Sequence, residues 1–101
     1  MTKYGLESED IEKINNVLRQ YTEVEKAILY GSRAKGNYRP YSDIDLTLTG
    51  IDLTPQLYRI IDKIDDLLLP YTFDISILSD ISNPGLIDHI NRVGQVFYER
   101  G

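Results

Sequence analysis

At 101 residues, with 42% hydrophobic and 27% charged residues, the chain has the size and balance of one globular unit with a single core, which excludes a disordered or a membrane-spanning class. A net charge of −5 disfavours contact with a nucleic-acid backbone, so no direct nucleic-acid binding is expected. The absence of cysteine excludes disulfides, thiolate metal sites and cysteine nucleophiles. With no apolar leader in Met1–Glu7 and no run long enough for a bilayer, the expectation is a cytoplasmic protein with no membrane partner. No repeat, low-complexity tract or linker interrupts the sequence, so residues 1–101 are expected to form one domain.

Met1–Glu7 carry little pattern and read as a short lead-in. Ser8 is expected to cap a first helix, with Glu9 and Asp10 at its positive end and Ile11, Ile14, Val17, Leu18 and Tyr21 as its apolar stripe. A first strand follows over Val24–Tyr30, its last four residues apolar enough to be buried on both faces. Gly31-Ser32 ends it abruptly. After ten further residues a second strand, Asp43–Thr49, alternates strictly, with Ile44, Leu46 and Leu48 on one face and Asp43, Asp45 and Thr47 on the other.

Thr54-Pro55 is expected to open a second helix that runs to about Leu68 and buries Leu57, Ile60, Ile61, Ile64, Leu67 and Leu68. Pro70 forbids its continuation. Asp62, Asp65 and Asp66 read as its solvated face. A third strand, Thr72–Leu78, sets Phe73, Ile75 and Ile77 against Asp74 and Ser76. Asn83-Pro84 caps a last helix to about Val93, with Gly94 as its terminating residue, and a short strand over Gln95–Tyr98 closes the chain. The predicted fold is thus α/β (α+β), a small mixed sheet packed with helices.

Two features carry chemistry. Gly31 allows positive φ or a close approach to a ligand, and Ser32 offers a hydroxyl and main-chain N–H groups at the start of a helical turn, a ready anion site. Arg33 and Lys35 could add charge-assisted contacts to phosphate. A Gly-Ser pair alone is more often an ordinary turn. Asp43 and Asp45 share a face, and sheet pairing would bring Asp74 beside them. Carboxylate oxygens are hard ligands suited to Mg²⁺. At about 4 Å and an effective dielectric near 20, each like-charge pair costs on the order of 4 kcal/mol, which a divalent ion would remove. Asp43-x-Asp45 alone would more often be a solvated strand face; it is the conjunction with the turn and Asp74 that points to a site.

Gly-Ser-Arg-Ala-Lys-Gly followed by Ser-Asp-Ile-Asp-Leu resembles the minimal nucleotidyltransferases (MNT) of the DNA polymerase β superfamily. Their signature is Gly-Ser, a spacer of this order, Asp-x-Asp and a third Asp on a later strand. The resemblance implies a polymerase-β-like core spanning nearly the whole chain. It implies that Gly31 and Ser32 hold a nucleoside triphosphate, with Arg33 and Lys35 steadying the departing pyrophosphate. Asp43 and Asp45 would ligate Mg²⁺, and Asp74 would complete a second metal site and help activate an acceptor hydroxyl. It further implies an antitoxin that transfers AMP from ATP, or another nucleotide, to a HEPN-domain partner. The rival expectation is an antitoxin that works by binding alone, with the nucleotide site vestigial. His89, the sole histidine, falls off its helix's stripe and reads as a surface residue without a role. Tyr38 and Tyr41 flank the basic loop, where packing or partner contact is a commoner use than stacking on a base.

Overall fold

The three strands expected from the sequence and the short terminal one form a four-stranded sheet, and the helices cover its two faces. The computed structural model describes residues 2–101. A small antiparallel hairpin opens the chain, β1 (Thr2–Lys3) and β2 (Leu6–Glu7). Helix α1 (Ser8–Arg19), strand β3 (Val24–Tyr30), the one-turn helix α2 (Gly31–Lys35) and strand β4 (Ile44–Gly50) follow. Helix α3 (Leu57–Asp65), β5 (Phe73–Ile77), α4 (Pro84–Val93) and β6 (Gln95–Glu99) complete it. Short 3₁₀ turns at Thr54–Gln56 and Leu78–Asp80 precede α3 and follow β5.

The sheet order is β5-β4-β3-β6. β3 pairs antiparallel with both β4 and β6, whereas β4 and β5 run parallel. A parallel pair needs a crossover, and α3 supplies it. One face of the sheet, with Ala27, Leu29, Ile44, Leu46, Leu48 and Ile77, packs on Ile14, Val17 and Leu18 of α1 and on Ile60 and Ile64 of α3. These residues form the main core. Helix α4 lies on the opposite face against β3, where Ile90 is buried. That face also carries the polar residues of β4 and β5, with Ser76 Oγ donating to Thr47 Oγ1 at 3.0 Å. Among the described residues no helix is long and apolar enough to cross a membrane.

Several local expectations change. The segment read as a lead-in is the hairpin: Tyr4 and Gly5 take positive φ, 59° and 74°, as a type I′ turn requires, and Leu6 is fully buried. Ser8 is the first helical residue, not the cap; Glu7 holds that position. Helix α3 ends at Asp65, because Leu68 turns to φ 55°. Leu68 is therefore exposed rather than part of the buried stripe. Asn83 does cap α4, its side chain accepting from the N–H groups of Gly85 and Leu86. Gly94 ends that helix in an extended conformation, φ −60°. It is small for another reason: a Cβ there would run into the Ile90 carbonyl and come within 2.9 Å of Ile28 Cγ2.

Candidate active site

Register brings the acidic residues together. Asp45 on β4 stands directly beside Asp74 on β5 and across from Tyr30 on β3, and direct partners in a sheet project to the same face. Neighbouring strands lie about 4.8 Å apart, so the two carboxylates compete for one small volume. Asp43 precedes β4 by one residue and accepts a hydrogen bond from the Thr72 hydroxyl, just ahead of β5. The Ile44 N–H donates to the Thr72 carbonyl at 2.8 Å, which extends the pairing to the point where Asp43 emerges.

Asp45 feels this crowding. Desolvation by burial, then the charges of Asp74 and Asp43, push its carboxyl up to about 6. Tyr30 is 8% exposed, and burial raises its phenol above the ordinary value; a hydrogen bond with Ser76 works against that shift, and Asp74 and Asp45 add to it. On this face burial, with neighbouring carboxylates adding to it, disfavours the charged form of both an acid and a phenol.

Gly31 presses on the same point. Its φ is 76°, in the left-handed region, and a Cβ there would collide with Asp45 Oδ2. Only glycine lets the turn and the carboxylate come this close. The turn is thereby fixed at the edge of the acidic cluster, with Ser32 next in the chain and α2 closed by the Gly36 N–H donating to the Ser32 carbonyl at 2.9 Å.

The structure thus brings Gly31, Ser32, Asp43, Asp45 and Asp74 to one end of the sheet, with Lys35 exposed one turn beyond Ser32. Arg33 is different and corrects the expectation that it contacts phosphate. It is 2% exposed. Its guanidinium donates from Nε to the Ser42 carbonyl at 3.0 Å, from Nη1 to the Tyr4 carbonyl at 2.9 Å and from Nη2 to the Pro40 carbonyl at 3.4 Å. The rings of Tyr38 and Tyr71 lie 5.3 and 5.6 Å from its central carbon. Such a side chain organises the loop and has no face left for a ligand. The exposed cations of the basic segment are Lys35 and Arg39. Tyr38 packs on Arg33, and Tyr41 is 80% exposed.

Three site residues escaped the sequence reading. Tyr30 lies one position before Gly31 and comes beside Asp45 through the register of β3 on β4. Thr72 and His89 depend on tertiary contact. His89 is not an idle surface residue: its Nε2 accepts the Gly31 N–H at 3.0 Å.

The donor set suits a hard divalent cation. Three carboxylates face a region where one of them already resists ionisation, and a positive ion would relieve that cost. Among the described residues no three or more His, Cys, Asp or Glu side chains form a group that could hold an ion alone.

No curated protein matches the chain. Solved structures do. A toxin–antitoxin complex with AMP-PNP superimposes with a TM-score of 0.71 at 22% identity, covering 89% of this chain and 73% of that one. The tri-AMPylated Shewanella oneidensis HEPN toxin in complex with MNT antitoxin gives a TM-score of 0.67 at 18% identity, over 94% of this chain and 74% of that one. A putative nucleotidyltransferase from Sulfolobus solfataricus gives 0.53 at 18% identity, over 99% and 91%. At these identities the likeness is one of fold. The family model described as polymerase beta, nucleotidyltransferase matches residues 12–101, a span that contains the turn, all three aspartates and the whole four-stranded sheet. A match of that extent is membership: the chain belongs to the polymerase β nucleotidyltransferase family.

Proposed function

We propose that this protein transfers a nucleoside monophosphate, AMP from ATP, to a hydroxyl on a HEPN-domain protein in the cytoplasm, and that this transfer is how it acts as an antitoxin. The observation that carries the reading is the convergence of the Gly31-Ser32 turn on Asp45, with Asp74 in register beside it. The fold likeness to an MNT antitoxin in complex with an AMPylated HEPN toxin supports the choice of partner and nucleotide.

In this reading Ser32 holds the triphosphate through its hydroxyl and main-chain N–H, and Lys35 meets the charge of the departing pyrophosphate. Asp43, Asp45 and Asp74 are the residues that would hold Mg²⁺, two ions in this reading. Bound there, the ions would offset phosphate charge and steady the attacking and leaving oxygens. The acceptor oxygen bonds to the α-phosphorus, the bond from that phosphorus to the bridging oxygen breaks, and pyrophosphate leaves. Asp74 takes the acceptor's proton. A cleft of about 220 Å³ bordered by Tyr41, Ser42, Tyr71 and Thr72 adjoins Asp43 in the chain, and in this reading the acceptor approaches through it. Thr72 keeps Asp43 aimed while it does so.

The test is incubation with labelled nucleoside triphosphates, Mg²⁺ and a candidate HEPN-domain partner from the same cell. Label from the α-phosphate of ATP is expected on the partner, and none with Asp43→Asn or Asp45→Asn. A folded wild-type protein that binds the partner yet transfers no label from any nucleotide would remove the enzymatic reading.

A further inference from the structure

Helix α2 has only five residues, so its orientation cannot come from its own hydrogen bonds. The residue at its N-cap, Tyr30, makes no side-chain capping bond. The first N–H of the helix, that of Gly31, is instead bound by His89 Nε2 at 3.0 Å, across 58 positions of sequence. Accepting that bond requires Nε2 to be unprotonated, so the ring is the neutral tautomer with its proton on Nδ1. The imidazole also sits edge-on to the Tyr30 ring, at 6.2 Å and 80°.

The helix that presents His89 is well anchored. Asn83 caps its start, Ile90 is buried beside His89, and Gly94 presses on Ile28 at its end. Gly31 is therefore confined on two sides, by Asp45 where a Cβ would project and by His89 at its N–H. We propose that His89 is a positioning residue for the nucleotide: it caps α2 from a distant helix and so fixes the direction in which Ser32 meets phosphate. The inference rests on the phosphate-binding reading of the turn. It also assigns the work differently within that turn, because the Gly31 N–H is already engaged and the phosphate contacts fall to Ser32 and the groups after it.

Two measurements test it on the full chain: amide hydrogen exchange at Gly31 by NMR in ligand-free protein, and calorimetric titration with ATP and Mg²⁺. His89→Leu is expected to lose protection at Gly31 and to bind nucleotide about five- to tenfold more weakly, as loss of one such hydrogen bond implies. His89→Gln, whose amide oxygen can reach the same N–H, is expected to recover most of both. His89→Asn is too short and should behave like His89→Leu; it stands in for that variant if leucine prevents folding. Wild-type nucleotide affinity in a variant that has lost Gly31 protection overturns the inference, as does a glutamine variant no better than leucine or asparagine. If the wild-type protein binds no nucleotide, the functional reading fails and takes the inference with it. That outcome is told apart from failure of His89 alone, because in the latter the wild-type protein still binds.

Discussion

Asp45 carries the strongest electrostatic tension among the site residues. Its carboxyl is pushed from 3.8 up to about 6 in the folded protein, so between those values the folded state holds a proton that the unfolded state releases. Below about pH 4 both states are protonated and nothing is lost. As pH rises through 6 the folded state must carry the charge beside Asp74 and Asp43, and stability falls. The metal-free protein is therefore expected to be less stable than Asp45→Asn above pH 6 and equal to it near pH 4. Partial exposure screens the effect to on the order of 1 kcal/mol. Thermal melts of both proteins across that range check it; a constant difference at every pH would mean that the charge is not responsible. Gly31 makes the complementary point through sterics. Gly31→Ala is expected to abolish transfer, since its Cβ would displace Asp45 Oδ2, and to cost about 1–2 kcal/mol from the left-handed backbone alone. Urea denaturation alongside the transfer assay reads both effects, and an active, fully stable alanine variant would contradict the geometry. Both residues were legible in the sequence because glycine before serine, and aspartates alternating in a strand, break local rules. Arg33 was not. A cation two residues past Gly31 looks like a phosphate ligand until the fold shows three carbonyls and two rings around it.

At the level of elements, the long alternating strands and the amphipathic helices were readable because periodicity accumulates over many residues. The opening hairpin was not, since strands of two residues have no period to detect. Its one signal was Tyr4-Gly5, the residue pair of a tight turn. That Asp74 lies beside Asp45 was expected from the conjunction of motifs, but the parallel pairing of β4 and β5 that puts it there has no local signature. Arg33 connects these elements: it binds the hairpin through Tyr4 and the loop through Pro40 and Ser42. Arg33→Lys keeps the charge but loses the planar fork. It is expected to lower stability by about 2–3 kcal/mol, in the range of hydrogen bonds to charged groups, whereas Lys35→Ala should stay within about 0.5 kcal/mol as an exposed change. Lys35→Ala should instead weaken nucleotide binding in a salt-dependent way. Denaturant midpoints and titrations at two salt concentrations separate the two cations; equal stability losses would contradict their assigned roles.

For the whole molecule, the open matter is whether neutralisation of a partner needs the chemistry. Ser32→Ala combined with Asp74→Asn alters only the nucleotide end of the sheet. Ser32 is partly exposed and Asp74 exposed, so the fold should survive the change. Under the proposed function, the double variant is expected to co-purify with its protein partner, to transfer no label and to leave that partner toxic in a growth assay. Full neutralisation by that variant would favour control by binding alone. Arg33 has a further consequence at this scale. Its bonds to the carbonyls of Pro40 and Ser42 act as a clasp at the base of the loop that starts at Gly36, where added atoms would meet open space. Doubling such a loop costs only about 0.6 kcal/mol in closure entropy. A few residues inserted after Gly36 would therefore lengthen the tip while the clasp kept Asp43 in place, so the length of this loop is uncoupled from the geometry of the machinery beneath it.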